Sequence, residues 1–297
     1  MLTKPEVTVV IPTIGRESVL TAVRSVLKQT IDVEVIIALD SESADELLVR
    51  SLQRLGCEIV WSGGGGAAHA RNVGASLARG KYIAFLDDDD EWFPNKLDTQ
   101  IKQIEGSSKG NSCFSVGQSL FVRNSSASAL VCLRKERKVF DPSAESIGNY
   151  LVKRTSLFYG STYFQTSSLV LPLDLFLRTS WNESLSRHQD WDLFIELVDR
   201  LGATPLQVTS PVVRINQGSE NSISQGLDGE ASLSWLLARK SQITGRSRAD
   251  FIWVNILADL KNLKPRQVGK IFSLCSLTTI PHLSATLRFA ARLVLNR

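Results

Sequence analysis

Over roughly the first hundred residues, short uninterrupted apolar runs alternate with segments of helical periodicity, and that alternation leaves few folds open. Glu6-Val-Thr-Val-Val-Ile11 reads as a buried strand stopped by Pro12, and Ser18 to Gln29 repeats apolar residues at helical spacing through Val19, Val23, Val26 and Leu27. Val33 to Leu39 is a second strand, Asp45 to Leu55 a helix, and Glu58 to Trp61 a short strand. Gly63 to Gly66 breaks the chain before a helix over about Ala67 to Arg79, and Lys81 to Leu86 is again a strand. Pro94 suits the first turn of a helix reaching about Glu105. Strands that are apolar along their whole length must be covered on both faces, which predicts an α/β fold with a mostly parallel sheet flanked by helices. Ligands of such sheets bind beyond the carboxyl ends of the strands. Thr13, Asp40 and the run Asp87-Asp88-Asp89-Asp90 all fall at those ends.

The middle of the chain is read more coarsely. Ser112–Val122 and Ala129–Val139 are expected to pair as strands, and Ser167–Leu171 to form a short one. A helix is expected from near Gln189, followed by a strand from Pro205 to Ile215. From about Gly229 the pattern is helical to the end, interrupted by Gly245, Pro265 and Pro281. The expected organisation is a domain over 1–228, divided at about residue 110, and a basic helical extension over 229–297.

Of the 297 residues 43% are hydrophobic and 22% charged, which excludes a disordered or fibrous chain. The four cysteines are widely spaced with no CxxC pair, so reduced, structural thiols in a reducing compartment are expected. The first apolar run is too short for a secretory signal, and the expected location is the cytoplasm. Charge is unevenly distributed: residues 231–297 hold 11 Lys/Arg against 2 Asp/Glu, whereas residues 1–230 carry a net −5. An acidic body with a basic tail suggests cation-assisted chemistry in front and an anionic surface met behind.

Four adjacent carboxylates repel one another unless water or a cation screens them. Hard divalent cations, Mg²⁺ or Mn²⁺, take oxygen ligands and share their shell with water and phosphate. In an extended segment Asp87 and Asp89 lie on one face and can approach one ion. Asp90 is expected at the start of the following helix, where negative charge is favoured.

The stretch Val9-Val-Ile-Pro-Thr13 with Arg16, then Ser25-Val-Leu-Lys-Gln-Thr30, resembles the opening of inverting family-two glycosyltransferases of the GT-A fold. The resemblance continues through Ala70-Arg-Asn-Val-Gly74, Gly80 to Asp87, Trp92-Phe-Pro-Asn-Lys-Leu97 and Gln189-Asp-Trp-Asp-Leu193, covering about residues 6–225. It implies a nucleotide-sugar donor, with Pro12 and Thr13 against the base and ribose, Asp40 at the base, and Arg71 near the base and diphosphate. Ser41 stands where an acidic partner of Asp40 is usual, which leaves the base open. The resemblance makes Asp87 and Asp89 the metal carboxylates, with Asp88 between them near the ribose. The cation would bridge the phosphates and stabilise the departing nucleoside diphosphate as a Lewis acid.

Inverting transfer also needs a base for the acceptor hydroxyl. Asp190 matches the family's base, although Gln189 replaces the glutamate usual before it. Asp192 is expected as a structural partner, and Trp191 either as an acceptor platform or as core. Asn216 replaces a histidine that relatives often carry, which weighs against a third metal ligand there. Gly63–Gly66 lacks the Lys-Ser/Thr ending of a P-loop and reads as a loop over the donor; His69 and His188 read as hydrogen-bonding neighbours.

The implied acceptor is a glycan or a lipid-linked oligosaccharide, and no nucleic-acid partner is expected. Leu283, Leu287, Ala291 and Val294 recur at helical spacing near Arg288 and Arg292, as in a helix lying on an anionic membrane, or else in a helical cap. Attachment at the inner face of the cytoplasmic membrane follows from the first reading. Two rivals stand. A sugar-1-phosphate nucleotidyltransferase would carry a glycine-rich basic loop after the first strand, where only Gly15-Arg16 occurs. A catalytically inactive glycan-binding scaffold would have no need of Asp87, Asp89 and Asp190.

Overall fold

The computed structural model describes residues 4–125, 128–132, 139–154, 163–217, 228–263, 265–274 and 279–295. Contacts divide the chain into two compact units, the first formed by Met1–Leu133, Thr162–Ser184 and Asp192–Ser219, the second by Arg134–Ser161, Leu185–Trp191 and Glu220–Arg297.

The first unit opens with β1 (Val7–Thr13), α1 (Val19–Leu27), β2 (Val33–Leu39), α2 (Glu46–Arg54), β3 (Glu58–Trp61), α3 (Ala67–Ser76) and β4 (Tyr82–Phe85). It continues with β5 (Glu91–Trp92), α4 (Lys96–Glu105), β6 (Cys113–Ser125) and β7 (Ser128–Cys132). After α5 (Ile147–Val152), which belongs to the second unit, come β8 (Val170–Pro172), α6 (Leu173–Phe176), α7 (Gln189–Ile195) and β9 (Thr204–Gln217). The second unit also holds the first residues of α7 and the helices α8 (Gly229–Ala238), α9 (Gly245–Phe251), α10 (Pro265–Leu274) and α11 (Leu283–Leu295).

Among the described residues nine strands form one sheet, in the order β3-β2-β1-β4-β8-β6-β9-β5 with β7 on β6. β3, β2, β1 and β4 are parallel, as their unbroken apolar runs require. Every residue of β1 is buried. β8 joins β4 and β6 antiparallel, β6 and β9 are parallel, and β5 meets β9 antiparallel. The segment expected as a strand from Ser167 instead begins with a 3-10 turn over Thr166–Ser168, and pairing starts only at Val170. Those serine and threonine side chains bond locally: Ser168 Oγ donates to the carbonyls of Tyr163 and Gln165.

Small residues let α3 lie close on the sheet. A Cβ on Gly74 would come within 2.5 Å of Val10 Cγ1, so glycine is the residue that fits there. α2 starts at Asp45, whose carboxylate accepts from Leu47 N at 2.8 Å. The apolar core of this unit runs from Val7, Val9 and Ile11 through Val23, Ile37 and Leu52 to Trp92, Leu97 and Val213. Cys57 and Cys113 are free and buried, and burial pushes the Cys57 thiol up to about 11, which keeps it unreactive. Cys275, the loop residues 218–222 and part of the uncharged tail, 275–278, lie outside the described residues.

Candidate functional site

β1, β2 and β4 are parallel, so Thr13, Asp40 and the acidic run emerge at one edge of the sheet. The run is a turn and not the extended segment expected: Asp90 N donates to Asp87 O at 3.0 Å. Its side chains nevertheless alternate. Asp88 and Asp90 are 6% and 4% exposed, whereas the Asp87 and Asp89 side chains are 36% and 20% exposed.

Each inward carboxylate has built partners. Thr13 Oγ1 donates to Asp88 at 2.6 Å, Arg16 Nη1 donates to its other oxygen at 3.2 Å, and Thr13 Oγ1 accepts from Gly15 N and Arg16 N. Burial raises the Asp88 pKa to about 6 against the opposing pull of Thr13 and Arg16. Asp90 corrects the expectation that it begins a helix, since α4 starts only at Lys96. It lies buried between β4 and β5, accepting from Ser167 Oγ at 2.6 Å and from Asn216 N at 3.2 Å. Burial, with Asp87 beside it, holds its pKa well above the ordinary value.

The outward pair faces cations. Arg71 Nη2 donates to Asp87 at 2.6 Å, with its guanidinium 4.7 Å from the Trp181 ring centroid, and Arg16 Nη1 lies 3.9 Å from Asp89. Among the described residues no three His, Cys, Asp or Glu side chains gather as a metal cage. Two accessible carboxylates on one turn are a donor set that fits a hard divalent cation drawing its remaining ligands from diphosphate and water. Asp87 and Asp89 are the residues that would hold it.

Ser167 and Asn216 are the residues that sequence reasoning missed. Ser167 Oγ also accepts from Asp87 N at 3.1 Å, and its carbonyl accepts from Trp92 Nε1 at 2.7 Å. Asn216 Nδ2 donates to the Asp89 carbonyl at 2.8 Å, so this residue braces the turn. A lone serine in a polar stretch carries no signal for such a role; Asn216 was marked only as a replaced histidine.

Asp40 accepts from Ser62 Oγ and from Gly66 N, both at 2.8 Å, and its own N–H donates to Thr13 O. The residue expected at the base is thereby bonded to the glycine-rich loop. Asp192, in the first unit, is 3% exposed and accepts from Asn182 Nδ2 at 3.3 Å, as a structural partner should.

In the second unit Asp190 lies in the first turn of α7, half-buried, and its carboxylate accepts from Trp191 N at 2.9 Å. Trp191 stacks on His188 at 5.0 Å and meets Trp235 and Phe251 at 5.9 and 6.2 Å, with Arg154 5.6 Å from its centroid. It therefore belongs to an aromatic cluster. His188, at φ 59°, bonds Ser232 Oγ through Nε2 at 2.9 Å. Burial, with Arg187 and Arg154 nearby, lowers its pKa from 6.5 to about 3.

A group whose folded pKa is depressed leaves the fold short of protons that the unfolded chain binds. The His188 contribution is therefore complete above pH 6.5 and is lost as pH falls toward 3. The slope is at most about 1.4 kcal/mol per pH unit. His188→Asn keeps a residue that tolerates positive φ, and urea unfolding at pH 6.5 and 4.5 is expected to show a shallower loss for this variant than for the parent chain. Parallel losses would show that other groups govern the acid limb.

Residues 8–141 match the family described as Glycosyl transferase family 2. The amylovoran biosynthesis glycosyltransferase AmsB of Erwinia amylovora is 32% identical over 182 residues, which cover 60% of this chain and 56% of AmsB. WfgD of Escherichia coli, a UDP-Glc:alpha-D-GlcNAc-diphosphoundecaprenol beta-1,3-glucosyltransferase, is 34% identical over 124 residues, 40% of this chain and 48% of WfgD. The chain thus spans about half the length of these curated relatives. Among solved structures, S. aureus TarS 1-349 in complex with UDP-GlcNAc superposes with a TM-score of 0.59 over 91% of this chain and 79% of that one, at 14% identity, a likeness of fold. Residues 8–141 thus resemble the family-2 glycosyltransferases, and the likeness of fold, of the GT-A type, spans most of the chain.

Proposed function

We propose that the protein moves a sugar from a nucleotide-diphosphate sugar to a hydroxyl of a glycan or lipid-linked acceptor, with inversion at the anomeric carbon. The observation that carries the reading is the alternation in the acidic turn. Asp88 and Asp90 are buried against internal partners, while Asp87, paired with Arg71, and Asp89, 3.9 Å from Arg16, keep solvent-accessible side chains. Relatives named for nucleotide sugars and diphosphoundecaprenol-linked acceptors support the same reading for this chain.

In this mechanism Pro12, Thr13 and Asp40 receive the nucleoside, and Arg71 and Arg16 offset diphosphate charge. Asp88 orders the ribose side through Thr13. A divalent cation on Asp87 and Asp89 would supply Lewis-acid stabilisation of the leaving diphosphate. Asp190 takes the proton from the acceptor hydroxyl as that oxygen bonds the anomeric carbon and the bond from that carbon to the phosphate oxygen breaks. The nucleoside diphosphate leaves with the electron pair. A panel of UDP-, GDP-, ADP-, CDP- and dTDP-sugars tests the reading by thermal stabilisation with Mn²⁺ or Mg²⁺. One sugar nucleotide raising Tm only with metal, and supporting transfer to a polyprenyl-diphosphate-linked glycan, is the expected result. No stabilisation by any of them would sink it.

The tail is proposed to attach peripherally to an anionic membrane at the cytoplasmic face. Among the described residues no helix is long and apolar enough to cross a membrane. Leu283 and Leu287 on α11 are 72% and 44% exposed, and Ile280 just before it is 74% exposed, whereas Ala285 on α11 is fully buried and Phe289 packs edge-on against Trp253 at 5.2 Å. α11 therefore packs by one face and shows apolar side chains on another, near a strongly basic stretch. Changing Ile280, Leu283 and Leu287 together to Ser is expected to abolish sedimentation with phosphatidylglycerol vesicles. Undiminished sedimentation would remove the tail from the account.

A further inference from the structure

His69 sits in the first turn of α3, between the glycine-rich loop and Glu183. Its Nδ1 is 2.8 Å from Glu183 Oε2. The protonated ring bonds this carboxylate as a charge-assisted ion pair, and the neutral ring does so more weakly.

Glu183 is held from its other side. Asn72 Nδ2 donates to Glu183 Oε1 at 2.7 Å, and Asn72 exchanges hydrogen bonds with the main chain of Trp181 in both directions. The carboxylate is a fixed post rather than a free surface charge. The loop is held to the ring by shape as well, since a Cβ on Gly65 would come within 2.5 Å of the His69 ring. Gly63, Gly64 and Gly66 have φ of 78°, 81° and 87°, so side chains cannot rigidify this loop and its anchors must. Two anchors are evident, His69 and Asp40. His69 meets the loop at Gly65, and Asp40 accepts from the loop twice, from Ser62 Oγ and from Gly66 N, both at 2.8 Å.

We propose that His69, braced by its ion pair with Glu183, is a positioning residue that fixes the 62–66 loop through Gly65 and, through Gly66, orients Asp40 for the nucleotide, so that donor affinity depends on the proton on His69. The inference rests on the proposed role of Asp40 toward the donor. The charged groups facing the ring are Glu183, from the segment after α6, and Asp40, at the end of β2; both raise its pKa, Glu183 first. Arg71, on the same helix, is turned to Asp87. The sign follows: a histidine with a raised pKa keeps the latch closed below its folded pKa and releases it as pH rises through that value.

The test measures Kd for the nucleotide sugar that stabilises the protein most, across pH 6.5–9 with Mg²⁺. A sugar nucleotide, unlike a free nucleoside diphosphate, has no terminal phosphate titrating in this range. Kd for the parent chain is expected to rise about five- to tenfold with pH. Glu183→Gln should move the midpoint downward, and His69→Phe, which keeps the ring against Gly65, should bind weakly at every pH with kcat little changed. A flat profile for the parent chain, or an unmoved midpoint in Glu183→Gln, overturns the latch. Asp40→Asn separates the two readings: unchanged affinity in that variant overturns the donor role of Asp40 and the latch with it. Weakened affinity there, beside a flat profile, overturns the latch alone.

Discussion

Asp190→Asn is expected to leave nucleotide-sugar affinity unchanged and to lower kcat by about a thousandfold, within the range that a positioned base contributes. The substitution is conservative in the fold. Asp190 uses its Oδ1 to accept from Trp191 N, and an asparagine oxygen can do the same, so the start of α7 is retained. What is lost is basicity. The measurement is single-turnover transfer alongside calorimetric titration of the donor, because the split between chemistry and binding carries the conclusion. Equal losses in both would mark Asp190 as a structural residue of α7, and retained kcat would move the base elsewhere.

The second large effect concerns Asp89. Asp89→Ala is expected to remove metal dependence from donor binding and to weaken it about a hundredfold in saturating Mn²⁺, as loss of a charged oxygen ligand should. The turn itself should survive, because Asn216 holds the Asp89 carbonyl and Ser167 holds Asp87 N and the Asp90 carboxylate. Ligand loss can thus be separated from unfolding by an unchanged Tm without donor. Asp90→Ala should do the reverse, lowering Tm because it leaves Ser167 Oγ and Asn216 N without their buried acceptor. If Asp89→Ala binds donor as tightly as the parent chain with Mn²⁺ present, Asp89 is not the metal ligand.

Much of the fold was legible because burial on both sheet faces writes an unbroken apolar signal into β1, β2 and β4, and because Asp45 marks the start of α2 chemically. The antiparallel half was less so. β8 is only three residues long and follows a turn rich in Ser and Thr, a composition that bonds locally and gives no period. The same limit applied to the site. The aspartates were conspicuous as a run, yet Ser167 and Asn216, which shape that run, are ordinary residues 77 and 126 positions from Asp90.

The parallel character of β1 to β4 and the shared edge for Thr13, Asp40 and the acidic run were determined by the sequence, since hydrophobic periodicity and strand-end chemistry are local properties; the order β3-β2-β1-β4 was not. The partners of the four aspartates were not. Spacing separates Asp87 and Asp89 from Asp88, but nothing local shows that Asp88 meets Thr13 and Arg16, that Asp90 meets Ser167, or that Arg71 meets Asp87. Nor does the sequence show that Glu183 meets His69 from 114 residues away. Such pairings arise only when distant segments close around a buried or shared polar group that must be satisfied.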